Sequence, residues 1–355
     1  MRTTTVIAGE EIRSAVRLRT QRRENNRALC TGMYAQLLSM SALELLSVAS
    51  TGAYFSALLT AVPLALLYFL SSLCAKKRSF RMPRALEAVF ALLFFSDMAV
   101  CMLSLTELVC AYVLPGTPRL AVALASAGLT GIFLTGRRRG GARRCAACLT
   151  GFFLTALIVC LWYALPEGEA GHLFPLLGYG GGQILRGGVY MLGGVWSAGA
   201  LPFFAEGKKT PEMKKERPYL LPLLTLLLFA LLMFLYAFLL PSPLLPGKWG
   251  FVLQLQLIME MSPSILSWSL MLISRMLLFL SAFAAAGDSA CECLHRALKK
   301  RSASILPLML VSALVVLIPL HDLSRALLFI LPLRYGICLF SVILALFVRK
   351  KEISA

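Results

Sequence analysis

The sequence predicts an all-α polytopic membrane protein with ten transmembrane helices. Three observations predict this class: 59% of the 355 residues are apolar, only 15% are charged, and the mean hydropathy is +0.79. A water-soluble domain normally has about a quarter of its residues charged. The formal net charge of +18 comes from basic residues that cluster between long apolar runs. That distribution is typical of membrane proteins and argues against a nucleic-acid partner.

Ten segments are apolar enough, and long enough, to cross the ~30 Å hydrocarbon layer, which takes ~20 residues of helix. They are 31–50, 53–74, 85–108, 119–136, 145–165, 185–205, 218–240, 263–287, 303–320 and 326–348. The domain organisation that follows is a basic arm over 1–29, one transmembrane permease-like domain over 30–349 and a short tail over 350–355.

The basic residues predict how these spans are oriented. Of the 35 Lys and Arg residues, 29 lie in 1–29, 76–84, 137–144, 208–217, 296–301 and 349–351. With ten spans, all six clusters fall on one side, and the opposite connections hold only Arg119, Lys248 and Arg325. Because Lys and Arg near helix ends stay in the cytoplasm, we expect a multi-pass cell-membrane protein with both termini cytoplasmic.

The sequence has no pattern typical of an enzyme. It lacks a Gly-rich nucleotide loop with its Lys, a His pair at metal spacing and a Ser-centred elbow. Cys145-x-x-Cys148 and Cys291-x-Cys293 with His295 lie at cytoplasmic helix ends, where a shared zinc site is geometrically conceivable and cysteines packing between helices are the alternative. We expect no catalytic residue, no resident metal and no cofactor.

Ionisable residues at membrane depth are costly, and they usually line a cavity or pair with one another. Asp97 in the third span and Arg275 in the eighth are such residues, as is Arg334 in the tenth. For Asp97 and Arg275, a buried ion pair that fixes helix packing and a role in ion coupling or ligand binding are both open. Glu44 in the first span favours a binding role, because it follows a small polar patch that consists of Ser39, Met40 and Ser41.

The sixth span is rich in glycine, with Gly193 and Gly194 directly before Trp196 and Ser197. Each glycine lowers helix stability by ~1 kcal/mol, so 192–197 is a place where the helix could unwind. An unwound backbone is tolerated in a membrane only where it lines a cavity or meets a ligand. Close helix–helix contact through small residues is the alternative, and the sequence leaves both open.

Two short stretches add a family resemblance. Leu173-Phe-Pro-Leu-Leu-Gly178 and Gln183-Ile-Leu-Arg-Gly-Gly188, with ten spans and a very short first external turn, resemble the spore germination permeases, the integral B subunit of nutrient germinant receptors. That family is similar to the amino acid/polyamine/organocation transporter superfamily. The resemblance implies two inverted five-helix repeats of the LeuT-like kind, with broken first and sixth helices around a central pocket.

The resemblance also implies a substrate-binding site and partners. The pocket residues would come from the first and sixth spans: Ser39, Met40, Ser41, Glu44, Gly193, Gly194, Trp196 and Ser197. The third and eighth spans, with Asp97 and Arg275, would form a scaffold wall. The first span has Ser-Met-Ser where the transporters have a Gly-rich break. The implied partners are a small nutrient such as an amino acid, a lipoprotein subunit and a large membrane subunit, in the spore inner membrane.

These observations predict an integral membrane subunit of a spore germinant receptor that binds a small solute, an amino acid, in a mid-membrane pocket. Binding would signal through a conformational shift, because a ligand that prefers one arrangement of the helices changes the populations of both. The alternative is an H⁺- or Na⁺-coupled secondary amino-acid transporter in which Asp97 or Glu44 titrates. A structural subunit with no ligand of its own is a third possibility.

Overall fold

The computed structural model describes residues 26–38, 50–76, 83–135, 146, 152, 158–159, 162, 165–204, 220–239, 265–298, 305–317 and 320–347. Throughout these ranges the regular structure is helical, with no strand. The helices are α1 (26–38), α2 (Ala53–Leu59), α3 (Ala61–Lys76), α4 (Arg84–Tyr112), α5 (Arg119–Thr135), α6 (Gly181–Val195), α7 (Ser197–Phe204), α8 (Leu220–Leu239), α9 (Ile265–Leu298), α10 (Ile305–Leu314) and α11 (Leu320–Phe347).

Among the described residues, five helical stretches are long and apolar enough to cross a membrane: Ala53–Cys74, Arg84–Tyr112, Leu220–Leu239, Leu272–Leu298 and Ile330–Phe347. A helix satisfies its own backbone hydrogen bonds, which lipid cannot do. The prediction of an all-helical, multi-pass membrane protein is therefore confirmed. The total of ten spans and the two inverted repeats remain predictions, because the first and fifth predicted spans are only partly described.

Several helix ends differ from the predicted spans. α1 is helical from residue 26, before the predicted start at 31, and α9 continues to Leu298, past the predicted end at 287. Both extensions carry polar and charged residues. A hydropathy criterion ends a span at such residues, although the helix itself can continue into the membrane–water interface. The predicted span 303–320 ends in a 3₁₀ turn over Val315–Leu317 before α11 begins.

The described helices pack in two groups. The longest contact runs between α4 and α9, the predicted third and eighth spans, and α5 and α10 pack beside them. In the second group α6 packs on α11, α3 on α7, and α2 on both α6 and α8. α1 meets both groups, since Gln36 contacts α4 and Leu37 contacts α6. Asp97 of the first group and Arg334 of the second are buried where the two groups meet.

The segment 165–180 fastens the start of α2 to the end of α8. It contains 3₁₀ turns over Leu165–Glu167 and Ala170–Leu173 and a cis peptide bond between Phe174 and Pro175. The Thr51 hydroxyl donates to the Pro175 carbonyl. At the other end, the Glu169 N–H donates to the Phe238 carbonyl at 3.2 Å.

Candidate functional site

The interruption of the glycine-rich sixth span falls at Trp196, between α6 and α7. It is one residue long, and Trp196 keeps helical dihedral angles of φ −57° and ψ −34°. The Gly199 N–H donates to the Trp196 carbonyl at 2.9 Å, a local tightening to a 3₁₀-type bond. The predicted unwinding over 192–197 is thus reduced to a single tightened turn. The backbone groups of this stretch are largely satisfied within the helix.

The glycines of this span serve close packing. A Cβ atom at Gly193 would lie 2.5 Å from the Cβ of Leu331 on α11, and one at Gly194 would lie 2.6 Å from Leu37 on α1. At Gly199 the nearest neighbour, Leu67, would be 2.8 Å away. These separations are shorter than carbon atoms tolerate. Close helix–helix contact, the alternative that the sequence left open, is what these positions form.

Trp196 is enclosed on all sides. It is 0% exposed, and its ring lies 5.1 Å from the ring of Phe94 in an edge-on arrangement and 6.3 Å from that of Phe90. The guanidinium carbon of Arg334 lies 5.8 Å from the indole centroid, within cation–π range. These contacts join α4 and α11 to the α6–α7 junction.

A hydrogen-bonded cluster surrounds Asp97. The Trp196 indole N–H donates to Oδ1 of Asp97 at 3.1 Å, and the same oxygen forms an ion pair with Arg334. Arg334 also donates to the Gln36 amide oxygen at 3.3 Å. The Gln36 amide nitrogen in turn donates to the Asp97 carbonyl at 3.1 Å and contacts the Cys101 sulfur at 3.2 Å. We call Gln36, Asp97, Trp196 and Arg334 the central cluster.

The central cluster is electrically neutral. Its one carboxylate and one guanidinium are both almost completely buried, with 4% of Asp97 and 2% of Arg334 exposed. A charge at this depth is stable only when it is paired and hydrogen-bonded. Asp97 meets both conditions through Arg334 and Trp196.

Asp97 forms an ion pair with Arg334 of the tenth predicted span, and a role of Asp97 and Arg275 in coupling or ligand binding remains a prediction. Within the described residues, the ionic partner of Asp97 is Arg334 of α11, whereas Arg275 of α9 donates to the hydroxyl of Tyr236 of α8. The difference follows from helix rotation: α9 packs along α4 but presents Arg275 to the α8 side. Sequence shows which spans hold a charge, not which way each helix faces.

A cavity lies beside the central cluster, between α1, α4, the α6–α7 junction and α9. Its free volume is about 20 Å³, which is room for about one water molecule. Most of the lining is small and apolar, and the lining residues are Ala28, Leu29, Gly32, Gln36, Phe94, Asp97, Cys101, Ser197, Ala282, Ala285, Ala286 and Ser289. Ser197 is 3% exposed, and its hydroxyl has no hydrogen-bond partner in the described part of the chain. That hydroxyl is available to a bound molecule.

The predicted site residues are therefore divided. Asp97 and Ser197 line the cavity. Trp196 does not line it but donates a hydrogen bond to Asp97. Gly193 and Gly194 pack against other helices. The proposed pocket residues of the first span lie outside the described residues: Ser39, Met40, Ser41 and Glu44.

Sequence reasoning missed Gln36 and Cys101. Gln36 is a lone amide in an apolar stretch, where its N–H and C=O groups must find partners, and this was a usable signal. Cys101 lies four residues, about one helical turn, after Asp97 and so shares its face of α4.

No three His, Cys, Asp or Glu side chains converge anywhere in the described part of the chain. Cys291 and Cys293 lie on α9, and neither forms a disulfide. Their proposed zinc partners, Cys145 and Cys148, lie outside the described residues.

The fold defines a class: an all-helical, multi-pass membrane protein. No protein-family model and no curated protein matches the chain. Two crystal structures of the Eremococcus coleocola manganese transporter resemble it. The first, a Glu-to-Gln mutant, is 14% identical with a TM-score of 0.52, covering 91% of this chain and 76% of that one. The second, in complex with an aromatic bis-isothiourea substituted compound, is 16% identical with a TM-score of 0.55, covering 92% and 77%. At this identity the likeness shows the fold alone, that of a membrane transporter.

Proposed function

We propose that this chain is a membrane permease that binds a small solute of the amino-acid class in the cavity beside the central cluster. The observation that carries the proposal is the buried, unpartnered hydroxyl of Ser197 in a cavity that also exposes Asp97 and Gln36. Ligand sites are mostly apolar cavities with a few convergent polar groups. With a free volume of about 20 Å³, this cavity has room only for a water-sized molecule as it stands, so the proposal requires the surrounding helices to move apart when a solute enters.

The chemistry of the lining favours a solute without net charge. The carboxylate and the guanidinium of the central cluster already balance each other. A zwitterion leaves that balance unchanged and can place its ammonium and carboxylate near groups of opposite sign. The small side chains of Ala282, Ala285 and Ala286 give this part of the lining an apolar surface.

The cavity lies toward the cytoplasmic side in the orientation that the loop charges predict. Ala28 and Leu29 are near the start of α1, which follows the basic arm, and Ser289 is near the end of α9, which precedes the basic cluster 296–301. A cavity between these ends corresponds to an inward-facing arrangement of a carrier that alternates its access.

Manganese, the cargo named for the proteins of similar fold, is not proposed for this chain. Manganese favours carboxylate, carbonyl and water ligands in an octahedral site. In the described residues the cavity offers one carboxylate, and Arg334 already neutralises it.

A second candidate function is nutrient sensing as the integral subunit of a spore germinant receptor, together with a large membrane subunit and a lipoprotein in the spore inner membrane. The resemblance over 173–178 and 183–188 supports it. The neutral central cluster favours it too, because a sensor needs no driving ion, whereas an H⁺- or Na⁺-coupled carrier needs a site that takes one up.

Reconstituted full-length protein separates these functions. Radiolabelled amino acids are offered to proteoliposomes, with bound and internalised label measured separately. We expect binding that Ser197→Val weakens about 10-fold, the effect of one lost hydrogen bond. Ser312→Val is the matched control, because Ser312 is buried away from the cavity and donates within its own helix. Internalised label supports the permease, and binding without internalisation supports the sensor. If no amino acid binds, the proposal fails.

A further inference from the structure

The central cluster already contains a cation. Arg334 reaches Asp97 from α11 and lies against the carboxylate oxygen Oδ1, which also accepts the Trp196 N–H. The amide oxygen of Gln36 accepts a hydrogen bond from Nη1 of the same guanidinium. The guanidinium is thus fixed at the carboxylate of Asp97, which lines the cavity.

A free cation at Asp97 would have to compete with Arg334. Alkali and divalent ions need several oxygen ligands to replace their hydration shell, and the Gln36 amide oxygen is already used by the guanidinium. Two positive charges within contact distance also repel each other more strongly in a buried site than in bulk water. Both effects disfavour Na⁺ or a metal ion at this carboxylate.

We propose that Arg334 is a specificity-determining residue that acts as a built-in counter-ion for the cavity. It occupies the position at Asp97 that a coupling ion or a cationic solute would need. The site therefore binds solutes that carry no net positive charge, and it binds them without Na⁺. The inference deepens the proposed function and depends on it for the role of the cavity, but the exclusion of cations is testable without any solute.

Cation binding to the purified full-length protein tests this directly. Thermal unfolding is followed in detergent with increasing NaCl or MnCl₂, against choline chloride at matched ionic strength. A ligand that binds only the folded state raises the unfolding temperature as its concentration passes its Kd. For the unaltered chain we expect no shift beyond that of choline.

Removing the guanidinium should create a cation site. In Arg334→Gln the Asp97 charge loses its counter-ion, so Na⁺ or Mn²⁺ should stabilise this variant, with an apparent affinity at least about 100-fold above that of the unaltered chain. Arg334→Met is a second variant of different polarity, with the same expectation. In Asp97→Asn/Arg334→Gln both charges are absent, so the cation response should disappear again.

Two results would overturn the proposal. One is stabilisation of the unaltered chain by Na⁺ or Mn²⁺ that is lost in Asp97→Asn/Arg334→Gln, because Asp97 would then bind a cation beside Arg334. The other is the absence of any stabilisation by Na⁺ or Mn²⁺ in Arg334→Gln or Arg334→Met when that variant is folded. Neither result depends on amino-acid binding, so each is distinct from a failure of the proposed function.

Discussion

Trp196 and Asp97 are 99 residues apart in the chain and are joined by a hydrogen bond of 3.1 Å between the indole N–H and the carboxylate. The bond ties the only interruption of the described sixth span to the middle of α4. It also fixes the carboxylate that Arg334 neutralises. The position of Ser197, the next residue in the chain, depends on the same contact.

Trp196→Phe tests this bond while keeping an aromatic ring against Phe94. We expect it to lower the free energy of unfolding by ~1–2 kcal/mol, because a buried hydrogen bond to a charged group is lost. Trp196→Ala should cost ~3–5 kcal/mol, since it also empties a large buried volume. Thermal unfolding of both variants in detergent measures the difference. A Trp196→Phe variant as stable as the unaltered chain would mean that the hydrogen bond contributes nothing.

The Asp97–Arg334 ion pair should behave as a unit in a double-mutant cycle. Asp97→Asn and Arg334→Gln should each destabilise by ~3–5 kcal/mol, because each leaves one buried charge without its partner. The double variant should lose less than either single variant. Unfolding measured in salt without Na⁺ or divalent ions gives the coupling energy. Additive losses would show that the two groups do not interact energetically.

Because Gly193 is closely packed, we expect its replacement by alanine to change stability differently from the same replacement at a glycine with open space around it. Gly193→Ala places a Cβ 2.5 Å from the Cβ of Leu331 and should destabilise by ~1–3 kcal/mol. Gly336→Ala, on α11, meets nothing within 4 Å and should stabilise by ~0.5–1 kcal/mol through helix propensity. Unfolding temperatures of the pair are compared. A neutral Gly193→Ala would contradict the close contact.

The contact between α2 and α6 gives a further prediction. The Ser56 hydroxyl donates to the Ile184 carbonyl at 2.8 Å across these helices. Ser56→Ala should therefore cost ~1 kcal/mol. Ser72→Ala is the control, because Ser72 donates only within its own helix and is exposed, so a change within ~0.5 kcal/mol is expected. Hydrogen exchange at the start of α6 should increase in the first variant only.

Hydropathy and loop charge were sufficient to predict the membrane class and most described helices, because lipid imposes length and apolarity on each span separately. The partners of buried polar groups were not predictable in the same way. Asp97 could face Arg275 or Arg334, and only the rotation of α9 and α11 decides between them. The one-residue interruption at Trp196 likewise depends on tertiary contacts, since glycine content alone permits both unwinding and close packing.

The central claim, that a solute occupies the cavity at Ser197, is tested most directly by protection of an introduced cysteine. Ser197→Cys and, as control, Ser312→Cys are treated with a small methanethiosulfonate reagent in proteoliposomes, and labelling at each position is read by mass spectrometry. We predict that an amino acid which binds the chain slows labelling at position 197 about 10-fold and leaves position 312 unchanged. Labelling at position 197 that stays the same under saturating bound solute would contradict the claim.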